Sequence, residues 1–581
     1  KREDPVKKLL RYLKDYRREC VMAPLFKMLE ALFELFVPLV MARIIDVGIT
    51  ANDRPLIGRS AALLVGLGII GLVCSLTAQY FSAKAAVGFA ARVRHALYAH
   101  LQTLSYTELD RFGSSGAITR LTSDVNQVQS GLNLVLRLFM RSPFVVFGAM
   151  IMAFTVDTRG ALVFVVVIPL LSVVVFGIML LTMPLYKRVQ QRLDAVLRRT
   201  RENLAGVRVI RAFGREEAET ADFTDSTNAL LKAQVHAGRL SALMNPLTYV
   251  LINGGIVALL WCGALQINSG ALTCGAVIAL VNYMTQILVE LVKLANLIIT
   301  VTKAWACGDR IQSMLETTPS LPVADSPALP DESQRGAVRF DHVSLTYAGA
   351  GSETLSPLSF SAAPGETIGV IGGTGSGKTS LISLIPRFYD ATAGTVFVHG
   401  VDVRLQDPEA LRRSIGIVPQ KAVLFKGTVR SNLLWGCPDA DDARLWKALE
   451  LAQAKDFVEQ KPGGLDAEVT QGGKNFSGGQ RQRLTIARAL VRHPSILILD
   501  DSASALDYLT DAALRSAIRS MEPRPTTFIV SQRTASLRHA DRILVLDDGA
   551  PVGLGTHEEL LDSCPVYQEI YYSQYPKEAQ A

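Results

Sequence analysis

The sequence predicts a helical membrane half of six spans followed by an α/β half. Three observations predict this. The 581 residues are 49% hydrophobic and 19% charged, with a mean hydropathy of +0.25. That is too apolar for an ordinary soluble protein and too charged for one lying wholly in a bilayer. Apolar segments long enough to cross hydrocarbon recur six times before residue 318. Beyond a proline-rich stretch at 318–335, β-rich runs alternate with helical ones, the pattern of an α/β domain.

Residues 1–20 are basic, with Lys1, Arg2, Lys7, Lys8, Arg11, Lys14, Arg17 and Arg18. Val6, Leu9, Leu10 and Leu13 share one face there, which predicts a short amphipathic helix on the membrane surface. No signal-peptide pattern opens the sequence, so targeting is expected through the first apolar helix. The expected spans are 20–45, 61–81, 142–156, 161–183, 243–267 and 271–301, the third starting earlier, near Leu134. The connections after spans two and four, Lys84 to Arg137 and Lys187 to Arg239, are long and basic, and the others are short. The positive-inside rule then places the N-terminus and both long connections in the cytoplasm. Six spans leave the C-terminal half on that side too, as expected of a multi-pass protein of the cell membrane. The long connections keep helical spacing through Val93, Leu97, His100, Leu101 and Leu104, and again through Val189, Leu193, Val196 and Leu204. The spans are therefore expected to continue as helices beyond the bilayer, with segments 105–112 and 204–213 near their cytoplasmic ends.

The expected division is a transmembrane domain at 1–317, a linker at 318–335, an α/β domain at 336–576 and a tail at 577–581. The net charge of +7 reads as membrane topology, and no nucleic-acid-binding motif accompanies it. The seven cysteines are scattered singly, without a Cys-x-x-Cys pair, so neither a disulfide framework nor a zinc site is expected.

The chemistry lies in the second half. Gly372-Gly373-Thr374-Gly375-Ser376-Gly377-Lys378-Thr379 fits the phosphate-loop pattern, after the apolar run Thr367–Ile371 and before the helical run Ser380–Ile385. Glycines let backbone N–H groups close around phosphate oxygens. Lys378 can reach the β- and γ-phosphates of ATP, and Thr379 can place its hydroxyl on Mg²⁺. A second motif, Ser477-Gly478-Gly479-Gln480, offers a hydroxyl, free N–H groups and the positive end of a helix to an anion. A third, Ser495-Ile496-Leu497-Ile498-Leu499-Asp500, is a buried-strand run ending in a carboxylate.

In this order the three motifs resemble the ATPase domain of ABC transporters, and six preceding spans with two long cytoplasmic loops resemble an ABC exporter half-transporter of the multidrug type. The fold implied is an exporter-like helical membrane domain fused to an α/β P-loop nucleotide-binding domain. The resemblance implies that Tyr347 stacks on adenine. It implies that Ser380 follows the phosphate-binding residues into their helix. Gln420, in Val418-Pro419-Gln420, then touches Mg²⁺ and senses the membrane domain, and Asp500 holds Mg²⁺ with Thr379. ATP and Mg²⁺ are the implied cofactors, the lipid bilayer is the implied setting and an amphiphile the implied cargo. Transport by alternating access, driven by ATP binding and hydrolysis, is the implied activity.

Two positions depart from that family pattern. Asp501 stands where a glutamate usually polarises the attacking water, and Gln532 stands where a histidine usually meets the γ-phosphate. A carboxylate one methylene shorter can lose contact with its proton, and losing a general base costs about 10²–10⁴ in rate. Glutamine can hydrogen-bond a phosphate but carries no imidazolium charge. Both changes are expected to weaken hydrolysis at this chain's own phosphate loop. The intact Ser477-Gly478-Gly479 is expected to complete the site of a different half-transporter, making the chain the degenerate-site subunit of a heterodimer. An alternative is an ATP-gated membrane regulator or channel. In the first span, Glu30 and Glu34 lie four apart and are expected to form an acidic patch favouring cationic amphiphiles. Asn282, Gln286, Glu290 and Lys293 recur at helical spacing and are expected to line the same cavity, with Lys27 and Lys293 as possible neutralising partners of Glu30 and Glu290.

Overall fold

The structure, a computed structural model, describes residues 8–324, 326–502 and 504–575. The expectations for Val6, for the basic residues Lys1, Arg2 and Lys7, and for the tail 577–581 lie outside the described residues. The chain divides into two compact units, Lys1–Gln102 with Ser114–Thr317, and Thr103–Gly113 with Thr318–Ala581.

The first unit is helical. Five stretches are long and apolar enough to cross a membrane: Arg54–Thr103, Ser114–Val156, Thr158–Ala205, Glu216–Asn268 and Cys274–Leu315. The helix at the first expected span, Arg17–Arg43, is not among them, because Lys27, Glu30, Glu34 and Arg43 dilute its apolar character. The lead-in Leu10–Tyr16 is a 3₁₀ helix. Leu9, just before it, is buried, whereas Leu10, its first residue, is half exposed, so the common face expected for the two does not form. The expected third span breaks at Phe139–Met140, between helices Val125–Leu138 and Arg141–Val156.

Caps set the other ends. Asp157 accepts from the Gly160 N–H at 2.6 Å and starts the helix Thr158–Ala205. Asp46 accepts from the Thr273 hydroxyl at 2.6 Å and the Gly275 N–H at 2.7 Å, tying the start of Cys274–Leu315 to the far end of the first span. Phe164, Leu171, Leu259, Tyr283, Met284 and Ile287 form the core between these helices, and the Tyr283 hydroxyl donates to the Leu35 carbonyl at 2.6 Å. Both long connections are helical. Val93, Leu97 and Leu101 are buried. Val189, Leu193 and Val196 are only half buried, and Leu204 is 70% exposed, so that second stripe does not face a core.

The second unit is built on a six-stranded sheet ordered β12-β11-β3-β10-β9-β6. These strands are β3 (Thr367–Gly372), β6 (Ile415–Val418), β9 (Ile496–Asp500), β10 (Thr526–Val530), β11 (Arg542–Asp547) and β12 (Ala550–Gly555). β3, β9 and β10 are buried along their whole length, as apolar strands of a parallel sheet covered on both faces must be. Only β12 runs antiparallel, at an edge. A smaller antiparallel sheet, β2-β1-β4-β5, comprises β1 (Val338–Leu345), β2 (Leu355–Ala362), β4 (Ala393–Val398) and β5 (Val401–Asp402). β7 (Gly427–Thr428) pairs with β8 (Glu468–Val469).

Among the described residues of 318–335 the one regular element is a 3₁₀ turn, Glu332–Gln334, yet the segment is held down. Arg387 donates to the Pro322 carbonyl at 3.0 Å, and the backbone N–H groups of Ala328 and Asp331 reach Leu405 and His399.

Candidate functional site

In a parallel sheet the carboxyl ends of the strands share one edge, and ligands bind there. The registers pair Val530 with both Val370 and Asp500, and Val418 with Leu499. The residues that follow β3, β6, β9 and β10 are therefore neighbours. They are the phosphate loop, Gln420, Asp501 and Gln532.

The loop between β3 and the helix Lys378–Leu384 is built by glycine. Gly375 and Gly377 take φ of +86° and +88°. At Gly372 a Cβ would lie 2.1 Å from the Leu546 carbonyl oxygen. Lys378 folds back over the loop, its Nζ donating to the carbonyls of Gly372 at 2.9 Å and Gly373 at 2.5 Å, and to Ser376 at 3.2 Å. Gly373, Thr374 and Gly375 are exposed. Burial lowers the Lys378 pKa, against the attraction of Asp500 and Asp501.

The Thr379 hydroxyl lies 3.1 and 3.3 Å from the two carboxylate oxygens of Asp500, which is 6% exposed. A hydroxyl and a carboxylate so close are hard oxygen donors that fit Mg²⁺, which keeps most of its other ligands as water and phosphate oxygens. Burial raises the Asp500 pKa, and neighbouring Asp501 raises it further against the Thr379 hydrogen bond. Burial raises the Asp501 pKa as well, opposed by a hydrogen bond from Gln420 and by the charges of Arg533 and Lys378. Gln420 and Asp500 are thus each neighbours of Asp501.

Asp501 has a φ of +44°, the left-handed region. Its N–H donates to Val530 at 3.0 Å and its carbonyl accepts from the Ser504 hydroxyl at 2.9 Å. Those bonds fix how far its short side chain reaches. Gln532 exposes its side chain, and its carbonyl accepts from the Gln574 amide at 2.7 Å.

Ser477 caps the helix Gly478–Leu490 through a capping box with Gln480. Its exposed N-terminus presents Ser477 and Gly478. A Cβ on Gly479 would meet the Ala505 carbonyl at 3.0 Å. This helix packs in a core with Leu433, Leu449 and Leu484, whereas the phosphate-loop helix packs in another with Phe340, Leu358 and Ile385.

Tyr347 donates through its hydroxyl to Ser380 at 2.9 Å and meets the Tyr389 ring edge-on at 5.0 Å. Tyr389 in turn donates to Asp110 at 2.7 Å and packs near Tyr106. Asp110 lies in the short helix Tyr106–Phe112, capped by Ser105 and Glu108. Sequence reasoning missed Tyr389. The signal was Arg387-Phe388-Tyr389-Asp390, an aromatic pair one turn beyond the phosphate-loop helix.

In the first unit a cavity of about 460 Å³ is lined by Glu34, Asn282, Gln286, Glu290 and Lys293, with apolar walls that include Val37 and Val289. The expected acidic patch is corrected in two ways. Glu30 does not line the cavity and pairs with Lys27 at 2.6 Å. Glu34 pairs at 2.6 Å with Arg141, which also bonds Glu290, while Glu290 accepts from Ser142 and Lys293, each at 2.8 Å. Lys293 on the wall and Arg141, which pairs with both acids without lining the cavity, therefore balance the two acids. Arg141 was overlooked because its partners Glu34 and Glu290 are 107 and 149 residues away, so no local pattern reveals the pairing.

A model of the ABC transporter transmembrane region matches residues 20–291, and an ABC transporter model matches residues 355–504. An uncharacterised ABC transporter ATP-binding protein of Mycobacterium tuberculosis is 39% identical over 569 residues, 97% of each chain. A multidrug efflux ATP-binding/permease protein of the same species is 31% identical, over 96% of this chain and 46% of that one. A bacterial Atm1-family ABC exporter with ATP bound shares the fold, with a TM-score of 0.81 over 97% of this chain and 100% of that one, at 24% identity.

Proposed function

This chain belongs to the ABC transporter family, and from that premise we propose that it is one half of an ATP-driven exporter of amphiphilic small molecules or lipids. It works in the cytoplasmic membrane with both termini in the cytoplasm, and it pairs with a second, non-identical half-transporter. Its domains are 1–317 in the membrane and 336–576 on nucleotide, joined by 318–335. The helix Arg17–Arg43 completes six spans. The multidrug efflux relative and the apolar, charge-balanced cavity favour an amphiphile as cargo.

Tyr347 takes adenine, with Ser380 fixing its hydroxyl. Gly372, Gly373, Thr374, Gly375, Ser376 and Gly377 cradle phosphate through backbone N–H groups, and Lys378 turns from the loop carbonyls to the β- and γ-phosphates. Thr379, Asp500 and Gln420 hold Mg²⁺, whose charge offsets that of the phosphate oxygens. Ser477, Gly478, Gly479 and Gln480 face the nucleotide of the partner half. That assignment is supported by the separate cores in which signature and phosphate loop are packed.

One observation carries the unequal pairing: a complete Mg²⁺ pair of Thr379 and Asp500 beside Asp501 and Gln532. Nucleotide binding is retained and hydrolysis is weakened. Asp501 orients water poorly from its backbone-fixed position, and Gln532 supplies no positive charge to the γ-phosphate. The test is ATP turnover by the purified chain alone and after co-expression with its native partner. Low turnover alone and a large rise with the partner support the reading. Brisk turnover by a homodimer, lost in Asp501→Asn, overturns it.

A further inference from the structure

We propose that a basic groove between the helices Thr158–Ala205 and Glu216–Ala242 holds the phosphate headgroup of an anionic phospholipid at the cytoplasmic face of the membrane. The groove measures about 770 Å³. Arg188 and Arg192 line one side, Lys232 and His236 the other, and no carboxylate lines it. Each pair is spaced four residues apart; Arg188 and Arg192 form a row of like charge on one helix, an arrangement that costs stability when nothing opposes it, and Lys232 adds a third cation from the other helix. None of the three permanent cations has an acidic partner among the described residues. The acid nearest in sequence, Asp194, accepts from Gln190 at 3.0 Å. Ala195, Ala229 and Ala233 keep the floor low, leaving room for a tetrahedral anion between the rows.

The groove's position selects the source of that anion. Leu185, at one end, lies just past the span expected at 161–183. His236 lies about two helical turns ahead of the span expected at 243–267. Tyr186 is 52% exposed beside the groove, where an aromatic ring of the headgroup region belongs. Leu181 and Leu247 are exposed on the membrane side, where acyl chains would lie. Basic pockets between helices on the cytoplasmic side bind anionic headgroups, and each basic residue near the surface strengthens such binding about fivefold. The inference rests on the membrane placement of these helices and on nothing about cargo or ATP turnover.

The test uses the full chain in detergent, without nucleotide. Binding of phosphatidylglycerol, of phosphatidylcholine and of glycerol phosphate is followed by native mass spectrometry and thermal shift. The expected result is retention of phosphatidylglycerol but not of phosphatidylcholine, weakened about fivefold by each of Arg188→Gln, Arg192→Gln and Lys232→Gln. The pair Arg198→Gln and Arg201→Gln, outside the groove on the same helix, should leave binding unchanged and serves as the folding control. Undiminished phosphatidylglycerol binding by the triple groove variant overturns the proposal. So does equal competition by glycerol phosphate, which would mark a free-anion site. Because turnover is not read, an inactive transporter does not imitate either outcome.

Discussion

Arg141→Met tests the charge cluster of the membrane unit. The Arg141 and Glu290 side chains are 7% and 4% exposed, whereas Glu34 and Lys293 are 43% and 42% exposed. Removing one member of a buried ion pair costs about 3–5 kcal/mol, because the other is left as an uncompensated charge. Glu290 would keep Lys293 and Ser142, which places the expected loss near the lower end, about 3 kcal/mol. Glu34→Gln removes a charge that is only half covered and leaves Arg141 its Glu290 partner, so its cost should stay below about 1 kcal/mol. Arg141→Met combined with Glu290→Gln should recover much of the loss, since no lone buried charge remains. Equilibrium unfolding in detergent micelles gives the three values side by side. The reasoning is refuted if Arg141→Met costs no more than Glu34→Gln, or if the double variant is no better than Arg141→Met alone.

Three further outcomes are expected. Gly377→Ala, at φ +88° with its Cβ 2.6 Å from Leu355 and 3.0 Å from the Thr354 carbonyl, should weaken binding of a fluorescent ATP analogue by about tenfold or more, through backbone strain. Tyr389→Phe deletes the hydroxyl that bonds Asp110 at 2.7 Å; hydrogen exchange across residues 103–113 should rise by an amount matching about 1 kcal/mol. Burial holds the His399 pKa below 6.5, its Nδ1 accepting from the Gly336 N–H. The unfolded chain therefore takes a proton first as pH falls below 6.5, and stability drops with acidification until the folded form also protonates. Thermal unfolding between pH 7.5 and 5.5 should show that slope, reduced but not abolished in His399→Asn, because burial lowers His493 and His557 as well.

What could be read from sequence was local, and what escaped was tertiary. The phosphate loop, the strand ending at Asp500 and the capping box of Ser477 are short contiguous patterns whose neighbours dictate their shape. Charge pairing is different. Lys27 and Glu30 are three residues apart and visible as a pair, but Glu34 meets Arg141 across 107 positions. The supposed acidic patch therefore splits, Glu30 to its neighbour Lys27 and Glu34 to a charge-balanced cluster with Arg141, Glu290 and Lys293. The break at Phe139–Met140 lies between Arg137 and Arg141, and its mark is Pro143, which has no N–H to donate to the Phe139 carbonyl, so hydropathy alone does not place it. More distant still is Asp110, which bonds Tyr389 at a separation of 279 residues. No periodicity in 103–113 reveals that this segment clusters with the α/β unit. The departures at Asp501 and Gln532 were legible only against the family pattern. The positive φ at Asp501 was not legible either, because aspartate enters the left-handed region more readily than most residues yet does so in only a small share of its positions.

The most direct measurement compares ATP turnover at saturating Mg²⁺-ATP by the purified wild-type chain and by Asp501→Glu/Gln532→His. If the two short substitutions throttle this nucleotide site, the variant should hydrolyse at least about 10²-fold faster while binding ATP with unchanged affinity. A wild-type chain that already turns over as fast as its variant would contradict the account.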